Sequence, residues 1–305
     1  MNTTNNKRVL VIGRSGQLAN ELRVTAPANV DLVLAGRDEI DLSNKANLVA
    51  MFEAQQFDVV INTSAYTAVD KAETDVDAAY ALNQQAVENV AVACKANDCI
   101  LVHVSTDFVF GVQPMDSHHG RENRPWKTDD VTHPQGVYAQ SKRAGERAIQ
   151  ANYPENSVII RTSWLYSSFG NNFVKTMLGL MNSRPELAVV SDQMGSPTYA
   201  RGLAGFIWRL LQADTRLAVY HWSDAGATSW HGFAEEIAKQ GAELCMIQSL
   251  PAINTTTTEA FAAPAPRPAY SVMDCAEAYE LKSATPWQQH LSEMLHTLKT
   301  QQSKV

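Results

Sequence analysis

The run Arg8-Val9-Leu10-Val11-Ile12-Gly13-Arg14-Ser15-Gly16-Gln17-Leu18-Ala19 decides how the chain folds. A short continuous β-rich stretch without alternation is what a parallel strand buried on both faces looks like. Two glycines three apart follow it at once, and then a helical pattern that Pro27 ends. Strand, glycine turn and helix in that order make a cradle for a pyrophosphate. The glycines permit the tight turn and let the backbone approach the anion, and the helix N-terminus then faces it. Ala19 stands where a third glycine often sits and is small enough for close helix–strand packing. A plain strand-to-helix turn has the same local shape, so the neighbouring segments must carry the argument.

Outward from this turn the same alternation repeats. A second strand over 31–35 runs into Gly36-Arg37. An acidic residue there would bind the ribose 2′-hydroxyl of NAD, whereas an arginine suits the 2′-phosphate of NADP. Arg37 therefore favours NADPH, with NADH the second choice. Asp41-Leu42-Ser43 leads into a helix, with Ser43 the expected N-cap. A third strand over 57–62 opens into a small-residue loop containing Ser64, Ala65 and Tyr66, and residues 75–96 read as one long helix. The fourth strand, 100–104, runs into Ser105-Thr106-Asp107, and the fifth, 157–162, into Ser163-Trp164. Alternating strands and helices predict an α/β fold with a doubly wound parallel sheet, whose ligands bind at the carboxyl ends of the strands. Gly13 to Leu18, Arg37, Ser64 to Tyr66 and Thr106 all fall at such ends.

Beyond residue 167 the pattern is less regular. Helices are expected over 172–181, 199–212, 229–241 and 286–298, and short strands over 187–190 and 217–220. Residues 251–268, rich in Thr, Ala and Pro, read as an extended linker or loop. This predicts a dinucleotide-binding domain over 1–166. A smaller, mainly substrate-binding lobe would follow over 167–305, with some segments returning to the first domain.

Val137-Tyr138-Ala139-Gln140-Ser141-Lys142 opens a stretch of helix formers, which puts the phenol and the ammonium on one face, one turn apart. A positive charge beside a phenol stabilises the phenolate and makes a proton donor tuned toward neutral pH. A surface tyrosine and lysine at this spacing would look the same in isolation.

Composition narrows the partners. The 305 residues carry a net charge of −7, which argues against nucleic acid or an anionic membrane as the main partner. No apolar stretch approaches the ~20 residues of a membrane span. The polar start shows no signal-peptide pattern, and the four cysteines form no CxxC pair, so reduced thiols and a cytoplasmic location are expected.

Several further motifs accompany these features: Gly13-x-x-Gly16-Gln17-Leu18, Asn62-x-x-Ala65-Tyr66-Thr67-Ala68-Val69-Asp70-Lys71-Ala72-Glu73, Ser105-Thr106-Asp107-Phe108-Val109-Phe110, Arg161-Thr162-Ser163-Trp164-Leu165-Tyr166, Asp192-Gln193-x-Gly195-x-Pro197-Thr198 and Arg267-Pro268. In this order, and with Tyr138 and Lys142, the chain resembles the extended short-chain dehydrogenase/reductases, and among them the dTDP-4-dehydrorhamnose reductases. The resemblance implies reduction of the C4 ketone of dTDP-4-dehydro-L-rhamnose to dTDP-L-rhamnose with NADPH, NADH being admitted. It implies Tyr138 as general acid, Lys142 as holder of the nicotinamide ribose, and Thr106 as hydrogen-bond donor to the carbonyl. Thr106, Asp107, Tyr138 and Trp164 would hold the sugar. Gly13, Ser15, Gly16, Gln17, Leu18, Arg37, Asp41, Leu42, Ser64, Ala65 and Tyr66 would line the dinucleotide, with Tyr138 and Lys142. A reductase or epimerase for another nucleotide sugar, and a non-catalytic NADP-binding regulatory subunit, are the other readings.

The sequence departs from the family at four places. Residues 111–124 form a longer loop with His118-His119, read as solvated. Thr128 replaces a Glu. Gly136 and Ala139 flank the Val137-Tyr138 pair where Asn and Gly are usual. Some relatives bridge a homodimer with magnesium held by glutamates; Glu21 and Glu293 match such positions, but Arg201 stands where another Glu would be needed. A guanidinium repels a cation, so no metal is expected, and any homodimer would form without a magnesium bridge.

Overall fold

The computed structural model describes residues 6–111 and 124–302. The predicted loop with His118 and His119 lies outside the described residues. The chain runs β1 (Lys7–Ile12), α1 (Gln17–Val24), β2 (Val30–Ala35), α2 (Lys45–Gln55), β3 (Val59–Asn62), α3 (Val69–Ala72), α4 (Val76–Tyr80), a π-helical turn (Ala81–Gln85), α5 (Ala86–Ala96) and β4 (Ile100–Thr106). After a 3-10 turn (Asp107–Phe110) come α6 (Val137–Asn152), β5 (Ser157–Thr162), β6 (Leu165–Tyr166), α7 (Phe173–Met181), β7 (Glu186–Val190), β8 (Met194–Gly195), β9 (Thr198–Tyr199) and α8 (Ala200–Leu210). The remainder is β10 (Val219–Trp222), β11 (Thr228–Ser229), α9 (Trp230–Glu243), β12 (Ala252–Thr256), α10 (Thr258–Phe261), α11 (Ala276–Leu281) and α12 (Trp287–Gln302).

Six strands in the order β2-β1-β3-β4-β5-β10 make one sheet, and every pairing in it is parallel. The period-two geometry of β1 sends Val9 and Val11 to one face and Leu10 and Ile12 to the other. The first face packs on α1 and α8, through Leu18, Leu22, Leu203 and Ile207. The second packs on α2, α5 and α6, through Phe52, Val90 and Ile149. Coverage on both faces explains the unbroken apolar runs, and the doubly wound Rossmann architecture is the one the alternation predicts. The chain leaves β1 toward β2, then crosses back to β3 on the other side of β1. The sheet therefore switches direction between β1 and β3, where such folds bind ligands.

A second core gathers α7, β7, α9 and α12 around Leu178, Phe233, Ile237 and Leu295. Three expectations are corrected. Residues 251–268 are not a plain linker: β12 pairs in parallel with β7, and α10 follows, capped by Thr257. Asn44, not Ser43, caps α2; the Ser43 hydroxyl instead donates to Asp41 at 2.6 Å. The helix expected over 75–96 is interrupted by the π-helical turn, which inserts Asn83 into a buried position.

Candidate active site

The C-terminal ends of the strands surround a cavity of about 950 Å³, near the upper end for ligand clefts. On its walls lie Gly13, Ser15, Gly16, Gln17 and Leu18 after β1, and Arg37, Asp41 and Leu42 after β2. Ser64 and Ala65 follow β3, Thr106 and Asp107 stand at the end of β4, and Trp164 follows β5. From α6 come Tyr138 and Lys142. Tyr66, expected on this wall, stands between Ala65 and Thr67, which both line it. Its phenol donates to Asp75 at 3.0 Å, and its backbone N–H and C=O are both held by the Asn83 side chain, at 2.8 and 3.1 Å.

At the β1 end, Gly13 has φ +103°, and a Cβ there would lie 2.7 Å from Thr63 Oγ1 and 3.1 Å from the Ser64 nitrogen. Only glycine lets the first turn and the β3 loop approach this closely. Gly16 caps α1 with no side chain, so the first N–H groups of a helix whose opening residues line the cavity have no side-chain acceptor. These are groups an anion can take. Arg14 pairs with Glu39 and lies 3.7 Å from Asp38, while the exposed Arg37 makes no ion pair among the described residues. Asp41 accepts from the Ser43 N–H and hydroxyl, which hold its carboxyl below the usual range. A glycine cradle, bare helix N–H groups and a free guanidinium together fit a phosphorylated dinucleotide.

At the β4 end, α6 is pinned before its first turn. Gly136 has φ +78° and packs against Glu73 and Pro266, and Glu73 Oε1 accepts the Val137 N–H at 2.8 Å. Asp70 meets Arg267 at 2.8 Å and the Ala265 N–H at 3.1 Å. The motif residues Asp70, Glu73 and Arg267 thus tie loops together around the helix that carries Tyr138.

Lys142 is 2% exposed; its Nζ donates to the Val104 carbonyl at 2.7 Å and lies 3.4 Å from His103 Nε2. Burial lowers its pKa to about 8, with the Glu146 charge opposing. Burial also raises the Tyr138 phenol to about 12; a hydrogen bond with Thr106 works the other way, and the Asp107 charge adds to the rise. The expectation of a phenol drawn toward neutrality is corrected here. Desolvation is the largest cause of the rise, and the Lys142 ammonium is engaged by the Val104 carbonyl. Thr106 Oγ1 donates to Asp107 at 3.0 Å. Burial raises Asp107 to about 6, against hydrogen bonds from Ser271 and Thr106. A phenol and a hydroxyl side by side can deliver a proton and a hydrogen bond to one oxygen.

Beneath the cavity lies a set of residues not singled out from the sequence. Glu146, fully buried, accepts the Ser105 hydroxyl at 2.6 Å and both Nε and Nη2 of Arg161 at 2.9 Å. Asn83 donates to Ser141 at 3.0 Å, and a Cβ on Gly145 would fall 2.1 Å from the Asn83 carbonyl oxygen. His103, buried among Val and Leu in β4, is held well below the usual imidazole range by burial and by Lys142. The signal in each case was a polar residue inside an apolar or helical run. Away from the cavity, buried Glu21 accepts the Ser167 hydroxyl at 2.6 Å and pairs with Arg201 Nε at 3.0 Å. The cation beside Glu21 is the chain's own guanidinium.

A family model describing an RmlD substrate binding domain matches residues 7–300. A dTDP-4-dehydrorhamnose reductase from Aggregatibacter actinomycetemcomitans is 33% identical over 93% of this chain and 97% of its own length. One from Burkholderia thailandensis is 37% identical over 87% and 90%. The crystal structure of dTDP-4-dehydrorhamnose reductase from Bacillus anthracis in complex with NADP superposes with a TM-score of 0.85 at 32% identity, covering 96% of this chain and 99% of that one. On a match over residues 7–300 and on relatives 33–37% identical over most of both chains, this chain belongs to the dTDP-4-dehydrorhamnose reductase family.

Proposed function

We propose that the protein reduces the C4 ketone of dTDP-4-dehydro-L-rhamnose with NADPH to give dTDP-L-rhamnose. The observation that carries this reading is the gathering of Tyr138, Lys142 and Thr106 on the wall that also holds the Gly13–Gly16 turn. Bound there, the nicotinamide supplies the hydride. The Gly13–Leu18 turn takes the pyrophosphate, Arg37 the 2′-phosphate, and Lys142 the nicotinamide ribose. Tyr138 gives its proton to the carbonyl oxygen as negative charge develops there, a contribution on the order of 10²–10⁴-fold. Thr106 hydrogen-bonds the same oxygen, and a donor in a site sheltered from water stabilises that charge strongly. Asp107 and Trp164 hold the sugar.

No helix among the described residues is long and apolar enough to cross a membrane. We place the reaction in the cytoplasm, which suits four unpaired cysteines. A homodimer without a magnesium bridge suits the chain, since Arg201 already supplies the cation beside Glu21. The test is NADPH oxidation with dTDP-4-dehydro-L-rhamnose, run beside UDP- and GDP-linked 4-keto sugars. Turnover with the dTDP sugar is expected; a firm preference for a UDP or GDP sugar, or no turnover with any, refutes the assignment.

A further inference from the structure

The geometry points to Trp230 as a positioning residue for the nucleotide sugar, acting through Trp164. This rests on the reading above, in which Trp164 faces the sugar. Trp164 has φ +47°, a left-handed conformation that is a genuine outlier for a bulky residue and that persists only where surrounding contacts enforce it. The chain is stitched there from both sides. The Ser163 hydroxyl donates to the Ser196 carbonyl at 2.6 Å, and the Trp164 carbonyl accepts the Thr198 N–H at 3.2 Å. Trp164 stands two residues past Thr162, the register partner of Thr106, so this kink sets what lies beside the reacting carbonyl.

The indole itself sits in a slot. Trp230 stacks on it with centroids 3.6 Å apart and planes 10° from parallel. On Gly195 a Cβ would come within 2.6 Å of Trp164 Cε2. Both jaws belong to one ribbon, because Gly195 pairs with Thr228 at the β8–β11 bridge and Trp230 follows directly as the first residue of α9. Phe173 backs Trp230 at 4.6 Å and Phe233 backs Phe173 at 5.6 Å. This aromatic ladder joins the cavity wall to the second core. Backbone stitching alone would account for the kink; it does not require an indole-wide slot cleared by a glycine and roofed by a second indole.

The experiment compares the wild type with W230A, W230F and G195A. A stacked indole pair gives an exciton couplet in the far-ultraviolet circular dichroism, present in the wild type and absent in W230A and W230F. Steady-state kinetics should then show the KM for the dTDP sugar raised about tenfold in W230A and G195A. In W230F, which keeps an aromatic roof, it should stay within about threefold. The KM for NADPH should stay within about twofold throughout. A wild type without the couplet overturns the inference. So does W230A with an unchanged sugar KM, or G195A with an unchanged sugar KM should W230A not fold. So does a loss that falls equally on NADPH and sugar. An active wild type with any of these results leaves the proposed function standing. A wild type that shows the couplet but turns over no 4-keto nucleotide sugar removes the proposed function, and this inference with it.

Discussion

Glu146→Gln keeps the shape of a side chain that is 0% exposed and removes its charge. In the native protein that carboxylate receives Arg161 through two bonds of 2.9 Å, the Ser105 hydroxyl at 2.6 Å, and Arg143 at 3.4 Å. The amide can accept on one atom only, so the 3%-exposed Arg161 is left with an uncompensated buried charge. Breaking a buried pair from one side costs about 3–5 kcal/mol. An unfolding entropy of about 2.1 cal/mol/K per residue, over 305 residues, is about 0.64 kcal/mol/K. The melting temperature should therefore fall by about 5–8 °C in differential scanning calorimetry. A second effect reaches the active site, because the Glu146 charge holds the Lys142 pKa up. The variant should move the alkaline limb of kcat/KM for NADPH to lower pH. Glu146→Leu with Arg161→Met removes both charges and should recover most of the stability, since apolar replacement of a buried pair is often neutral. A melting point within 1 °C of wild type, with the alkaline limb unmoved, would refute the reasoning.

Other outcomes follow from the same geometry. Tyr138→Phe should lower kcat by about 10²–10⁴-fold while NADPH binding, read by nucleotide fluorescence, stays intact; an equal loss of binding would make the phenol structural. For Lys142, folding lowers the pKa from 10.5 to about 8, so the native state sheds its proton first. The contribution of this group to stability therefore rises with pH between about 8 and 10.5, while kcat/KM for NADPH falls above about pH 8. Lys142→Met should abolish that limb in a pH–rate profile. Arg37→Ser should reduce the preference for NADPH over NADH by about tenfold, the equivalent of ~1.4 kcal/mol, through the NADPH constant alone. A matching drop with NADH would place Arg37 elsewhere than at the 2′-phosphate.

The sheet was legible because its strands are buried on both faces and so read as unbroken apolar runs; β1, β4 and β5 needed nothing more. The cavity wall was legible because strand ends are where such runs stop. What failed did so for local reasons. The Asn83 amide that grips the Tyr66 backbone comes from a distant π-helical turn, which the sequence of the loop itself does not announce. A periodicity argument cannot place such a turn, because one extra residue inside a helix leaves composition unchanged. Ser43 lost the cap of α2 to its neighbour Asn44, a choice between two good caps that depends on Asp41 taking the serine hydroxyl. The strand at 252–256 is mostly exposed and carries threonines among turn-forming neighbours, so its pairing with β7 left little hydrophobic trace. The clamps around α6 are polar residues in helices and strands, and their partners lie tens of residues away.

Those clamps bear on catalysis more than their distance from the cavity suggests. Tyr138 and Lys142 come from α6, and Thr106 from β4, so their mutual geometry depends on how the helix seats on the strand. Three ties set that seat. Glu73 holds the helix's first free N–H. Asn83 holds Ser141, between the two functional residues, and abuts Gly145, where any larger side chain would lift the helix away. Glu146 fastens the next turn to Ser105, the neighbour of Thr106. The second tie also reaches the β3 loop, since the same Asn83 side chain grips the Tyr66 backbone beside Ser64 and Ala65. One buried amide thus couples the cavity wall at Ser64 and Ala65 to the helix that carries Tyr138. Asn83→Ala leaves the Tyr66 backbone groups and the Ser141 hydroxyl short of partners and touches no cavity-lining side chain. A displacement of the phenol and ammonium relative to Thr106 acts on the transition state, where reacting atoms must be aligned within a fraction of an ångström. It should therefore depress kcat more than it raises either KM.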